Sequence, residues 1–318
     1  MAMKGKYTME KNKHFEYYSI NDAEQKRLLN KTEWSYIAFL DILGFKNMVM
    51  NNMGKVLLTL RQIRGFCKEF YGYGNVGRGT DKDPMDGIPL VTMFSDSVMI
   101  TAPTCMWFLH EFVELISHLQ YFLLTQGVLL RGGIDVGTVF HDNNYLFGKG
   151  IVGAYLIECN IAKYPRIVIS NRAMSFAQEA VDFSYDYYID TAIKDKKDLE
   201  MMLGDVESYF THDIMEYVAK DRHGIYYLEY LIRGYLATED EIKEKHYQNI
   251  SLTISNGLKS DIESVKEKYI WLDNYFSRVF HLKDKVVKES KEEYEREELR
   301  LDEIFKKEKE LAIAFERV

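Results

Sequence analysis

The stretch Y-I-A-F-L-D-I-L-G-F, Tyr36 to Phe45, sets one carboxylate, Asp41, inside an apolar, strand-like run. Ile37, Phe39, Leu40, Ile42, Leu43 and Phe45 surround it, and an acid desolvated among such neighbours needs a partner or a bound cation. Further along, Leu90 to Thr101 reads as two apolar stretches around F-S-D-S, a hairpin with Asp96 at its turn. Two acids at strand ends can share one site. Hard cations such as Mg²⁺ are held by one or two carboxylates plus the phosphates of a substrate, and paired metals assist in-line displacement at phosphorus. Taken alone, Asp41 reads equally as a strand-end acid capping the next helix, whose first amides favour negative charge.

The pattern around these two acids alternates strands with helices. Residues 1–33 are polar and rich in Lys and Asn, an arm with at most a short helix over Asp22 to Leu29. Lys46 to Tyr71 carries Met48, Val56, Leu60, Ile63, Cys67 and Phe70 at helical spacing, and a glycine-rich segment through Gly87 follows. That segment lacks G-x-x-x-x-G-K-[ST] and reads as a loop, not a phosphate cradle. Pro103 is expected to open the next helix, which carries Phe112, Leu115, Ile116 and Leu119. Val128 to Phe140 and Tyr145 to Phe147 form a second hairpin around H-D-N-N, Gly150 to Ala162 a helix, Arg166 to Ser170 a strand and Asn171 to Val181 a helix. From Tyr185 to Leu236 the aromatic runs Y-D-Y-Y-I and I-Y-Y-L-E-Y-L predict strands around a helix over Thr211 to Lys220. Lys243 to Phe280 and Lys283 to Phe315 read as long charged helices that cover the domain or join two chains.

This order predicts an α+β fold: an antiparallel-rich, ferredoxin-like sheet with helices on one face, plus long C-terminal helices. The implied division is an arm at 1–33, a domain at 34–236 and a helical region at 237–318. With 318 residues and 47% hydrophobic content the chain has material for a substantial core. Its formal charge of -8 argues against a nucleic-acid partner, which calls for a basic face. Cys67, Cys105 and Cys159 lie far apart, giving neither a zinc pattern nor a disulfide framework, and point to a reducing cytoplasm. No apolar run approaches the roughly 20 residues of a membrane helix, and M-A-M-K-G-K-Y lacks the apolar core of a signal peptide, so no direct membrane contact is expected.

The element D-I-L-G-F at Asp41 to Phe45, with Asp96 at the second strand tip, resembles the D-I-x-G-F element and second aspartate of the class III nucleotide cyclases. Over roughly residues 30 to 235 the pattern most resembles the pyrimidine cyclases of Pycsar anti-phage defence. The resemblance implies a domain that cyclises UTP or CTP, with two Mn²⁺ or Mg²⁺ ions held by Asp41, Asp96 and the Ile42 carbonyl. Beside the resemblance, Leu43, Gly44 and Phe45 read as a helix start whose amides can receive phosphate oxygens, with Lys46 next to them; Arg131 reads equally as a catalytic, phosphate-binding cation or as an exposed edge arginine, and Lys149, Lys163 and Arg166 are further cations that singly read as surface charges. The resemblance also implies a head-to-tail homodimer in which cations of one chain face Asp41 of the other, and a separately encoded effector that senses the product. Positions that read a purine in the family fall on Thr92 and Lys149 here, and its transition-state Asn and Arg fall on Val152 and Leu156. These departures favour a pyrimidine, and leave open a catalytically silent nucleotide-binding or dimerising module. A palm-type nucleotidyltransferase also uses two carboxylates.

Overall fold

The computed structural model describes residues 33–74, 89–104, 109–141, 145–177 and 214–280. The apolar run around Asp41 forms β1 (Glu33–Leu43), which lies inside the sheet. Tyr36, Ala38, Leu40 and Ile42 enter the main core, and Ile37 and Phe39 enter a smaller cluster. Burial of both sets explains why the strand lacks the apolar/polar alternation of a half-solvated strand.

Gly44, at φ 77°, turns the chain from β1 into α1 (Phe45–Asn51). The single helix expected over Lys46 to Tyr71 is broken at Asn52, whose extended backbone separates α1 from α2 (Met53–Gly74). The Asn52 side chain accepts a hydrogen bond from Lys55 N–H at 2.9 Å, so a side chain caps the second helix where helical spacing alone sees continuity. The hairpin around Asp96 appears as β2 (Leu90–Phe94) and β3 (Ser97–Pro103). Pro103 ends β3 instead of starting a helix: it pairs with Ser35, and Thr104 N–H donates to Trp34 O. The helix α3 (Leu109–Thr125) begins later and buries most of its residues.

Next come β4 (Leu129–His141), β5 (Leu146–Gly148), α4 (Lys149–Asn160), β6 (Ile167–Ile169) and α5, of which residues 171–177 are described. The hairpin β7 (Val218–Lys220) and β8 (Tyr226–Leu228) follows, then α6 (Tyr230–Leu236), α7 (Asp240–Leu258) and α8 (residues 263–280). The strands form one eight-stranded sheet in the order β2-β3-β1-β4-β6-β8-β7, with β5 paired to β4. All ladders are antiparallel except β4 with β6. The fold is α+β with a mostly antiparallel open sheet, as the element order predicts.

The placement of helices differs from one expectation. Residues of α2 and α3 pack into the core with Tyr36, Ala38 and Leu40, whereas α4 packs with Ile37 and Phe39 on the opposite face. Gly133 permits this: a Cβ there would stand 2.5 Å from the Ala154 carbonyl, so only glycine lets the helix lie so close to β4. Two further segments differ. Only residues 214–217 of the expected helix over Thr211 to Lys220 are described as helical, and Val218–Lys220 pairs with β8. Of the run I-Y-Y-L-E-Y-L, Tyr226–Leu228 forms β8 as expected, whereas Tyr230 and Leu231 open a helix and are buried in a second core with Tyr121, Ile250, Leu272 and Phe276. That core is where α7 and α8 cover the domain, and the break at 259–262 divides what reads as one helix. The arm at 1–32, the glycine-rich segment, Y-D-Y-Y-I and the stretch Lys283 to Phe315 lie outside the described residues. Among the described residues no helix is long and apolar enough to cross a membrane.

Candidate functional site

The strand register decides which side chains meet. Asp41 lies opposite Ser97 on β3 and opposite Arg131 on β4. The turn that carries Asp96 is fastened to β1 by a hydrogen bond from Ile42 N–H to the Asp96 carbonyl at 2.9 Å. The two acids singled out from the sequence are therefore neighbours on adjacent strand ends. The Ile42 side chain is buried in the core, which leaves only its backbone to take part in a site.

Arg131 Nε donates to Asp41 Oδ2 at 2.8 Å, and its Nη2 stands 2.7 Å from Glu158 Oε1 on α4. Nη1 reaches the Ala162 carbonyl at 3.5 Å. The Glu158 side chain is only 6% exposed, against 17% for Asp41, so the guanidinium offsets two partly desolvated charges. Among the described residues no hydrogen bond or ion pair engages the Asp96 carboxylate, which is half-buried at the turn. Two carboxylates, Asp41 and Glu158, thus share one guanidinium, and the turn that carries Asp96 lies beside the end of the same strand. Asp41 keeps Oδ1 clear of Arg131. An all-oxygen donor set with spare negative charge fits a hard divalent ion such as Mg²⁺ or Mn²⁺. Among the described residues no group of three or more His, Cys, Asp or Glu side chains is placed to hold a metal ion.

The other expected residues are spread more widely. Leu43 ends β1 and packs against the second core, Gly44 is exposed at the turn, Phe45 packs against the main core and Lys46 is exposed. Lys163 follows Ala162, whose carbonyl Arg131 reaches. Lys149 begins α4 beside Gly137, six positions along β4 from Arg131 and toward the far end of β1. Arg166 is buried and its Nη1 is held by Asp221 Oδ2 at 2.9 Å. Arg131 itself corrects an expectation. It meets Asp41 within one chain, because β1 and β4 are direct neighbours, and no second copy is needed to bring it there.

Two features escape sequence reading. Glu158 is one; its signal is the spacing of Gly150, Ala154 and Glu158, which sets an acid on the buried stripe of α4 and calls for a cation opposite. The other is Asp135, 3% exposed, which takes Ser170 Oγ at 2.6 Å, Arg172 Nε at 3.0 Å and a second, shorter contact from Arg172 Nη2. Gly153 leaves room for this group, since a Cβ there would stand 1.9 Å from Asp135 Oδ2. Above the opposite part of the sheet, the His141 ring bridges Thr92 Oγ1 and Thr101 Oγ1, each at 2.7 Å.

No family model matches the chain, and no curated protein matches it. The solved structures it is similar to include cyclases. The guanylyl cyclase Cya2 aligns over 46% of this chain and 79% of its own, with 14% identity and a TM-score of 0.31. Two structures of a bacterial light-regulated adenylyl cyclase align over 45% of this chain and 45% of theirs, with 14% and 16% identity and TM-scores of 0.30 and 0.28. The chain thus spans less than half the length of those two. None of these values is high enough to transfer a residue or an activity.

Proposed function

We propose that the chain is a nucleotide cyclase that converts UTP or CTP to its 3′,5′-cyclic monophosphate and pyrophosphate. The observation that supports this reading is the register that sets Asp41 opposite Arg131 and fastens the turn carrying Asp96 to the end of the same strand. Divalent ions bound there supply Lewis acidity toward the ribose 3′-hydroxyl and the triphosphate oxygens. Asp41 and Asp96 would hold the ions through carboxylate oxygens, together with the Ile42 carbonyl. Arg131 neutralises Asp41 and Glu158 until substrate enters, then presents its forked donors to phosphate oxygens whose charge grows during displacement. Leu43 to Lys46 orient the triphosphate through backbone amides. Reading of a pyrimidine rests on the resemblance and on its departures at Thr92 and Lys149; in this fold Thr92 is held by His141.

A second copy of the chain completes the site in this proposal, docking on the exposed Val152, Tyr155 and Leu156 of α4. A role in phage defence, with the product read by a separate effector, comes from the same resemblance. It is tested by plating phage on cells that carry the gene with its neighbour and with Asp41→Asn. Incubation with each of the four nucleoside triphosphates and Mn²⁺, followed by mass spectrometry, tests the activity: cyclic UMP or cyclic CMP is expected, and absence of both overturns the substrate assignment. One observation favours a silent module instead. Val152 and Leu156 are 57% and 50% exposed, and they put apolar side chains where the family carries its transition-state groups. A thermal shift with nucleoside triphosphate and no turnover would establish that reading.

A further inference from the structure

Away from the Asp41 cluster, a cavity of about 290 Å³ opens between the β6–β8–β7 end of the sheet and α8. One wall carries Arg166 and Tyr227; Trp271, Tyr275 and Arg278 come from α8, where positions 271, 275 and 278 share a helical face. Arg166 is 8% exposed, yet only Nη1 has a hydrogen-bond partner, Asp221. Its Nε is enclosed without a partner, and Nη2 makes no hydrogen bond to a described residue. Asp221 does not need those spare donors. Burial opposes its ionisation, but hydrogen bonds from Ile225 N–H, Arg166 and His223 N–H outweigh this and hold its carboxyl below the usual range.

A buried guanidinium with donors to spare is costly, and such groups are normally matched by an acceptor. Arg278 supplies the second independent observation. It approaches the same cavity from α8, where its Nη2 donates to Tyr227 Oη at 3.1 Å and its guanidinium lies 5.3 Å from the Tyr275 ring centroid. The indole of Trp271 is stacked on Tyr164 at 5.6 Å with an interplanar angle of 3° and is tilted against Tyr275, so the aromatic floor is braced from behind. Two guanidiniums from opposing walls suit the several oxygens of a phosphate, and a braced aromatic floor suits a flat ring. At about 290 Å³ the cavity falls just under the usual range for small-molecule sites, about 300–1,000 Å³, which suits a mononucleotide better than a dinucleotide.

We infer that this cavity between the sheet end and α8 is a second ligand site, one that takes a small aromatic anion of the nucleoside monophosphate class. It is independent of the cyclase reading, since none of its residues belongs to the Asp41 cluster. The test uses the full chain in EDTA, with UMP, CMP, AMP, GMP, uridine and inorganic phosphate as probes, followed by calorimetry and tryptophan fluorescence. At least one monophosphate is expected to bind saturably with a dissociation constant below about 1 mM, a free energy within reach of two charge-assisted contacts and one stack. Arg278→Gln and Trp271→Leu should each weaken it tenfold or more with melting kept within a few degrees, and Asp41→Asn should leave it unchanged. Arg166 is left intact because its burial makes loss of folding the expected result of replacing it. No saturable binding by any monophosphate, or equal binding by the Arg278 and Trp271 variants, overturns the site. Equal affinity for inorganic phosphate overturns the aromatic half of the assignment, and loss of binding in Asp41→Asn overturns its location.

Discussion

Arg131 is the shared counter-ion of Asp41 and Glu158, and its removal leaves two carboxylates facing each other without a cation. Arg131→Met is expected to destabilise the fold by about 2–3 kcal/mol, below the range for fully buried pairs because this guanidinium is part-exposed. Urea unfolding at pH 7 measures it, and a change under 0.5 kcal/mol would show that solvent already screens the cluster. His118 carries a second expectation. Burial, then the nearby Arg233, pushes its imidazole down to about 4, and its ring packs between Phe70 and Tyr217. The unfolded chain therefore takes up this proton first, so stability from His118 is full above about pH 6.5 and falls as the pH drops toward 4. The loss totals about 3 kcal/mol, and His118→Phe should flatten that part of the pH–stability curve. An unchanged slope would assign the acid sensitivity to other groups. The strand around Asp41 and the hairpin turn at Asp96 were legible in the sequence because an acid stands out within one apolar run and between two others. Glu158 was not, since its partner lies on another element and only the register brings them together.

At the level of elements, α4 depends on how closely it approaches β4. Gly153→Ala would drive a methyl into Asp135 and Arg172, and is expected to destabilise by about 1–3 kcal/mol, as overpacking does. Chemical denaturation reads the effect, and a neutral result would mean that the Asp135–Arg172 pair can move aside. Strands β1 to β4 were readable because their apolar runs are long and bounded by turn residues. The break at Asn52 was hidden, since a side-chain cap leaves helical spacing intact on both sides. The helical state of Tyr230 to Leu236 was hidden too: its aromatic residues favour strands locally, and tertiary burial against α7 and α8 overrides that preference.

For the whole molecule, the exposed apolar face of α4 sets the expected assembly. Val152→Glu with Leu156→Glu should convert a dimer to a folded monomer with melting within a few degrees of the parent and turnover lost, as sedimentation and product assays would record. A parent that is a fully active monomer rejects the shared site. Because Arg131 and Asp41 sit in one chain, mixing Asp41→Asn with Arg131→Ala protein should not restore activity, whatever the assembly. The two acids are central to the proposed turnover. Turnover of UTP and CTP with Mn²⁺ should fall at least about a thousandfold in both Asp41→Asn and Asp96→Asn, a loss of roughly 4 kcal/mol in transition-state stabilisation, while each variant keeps its native fold. Cyclic product formed at the parental rate by either variant would contradict that role.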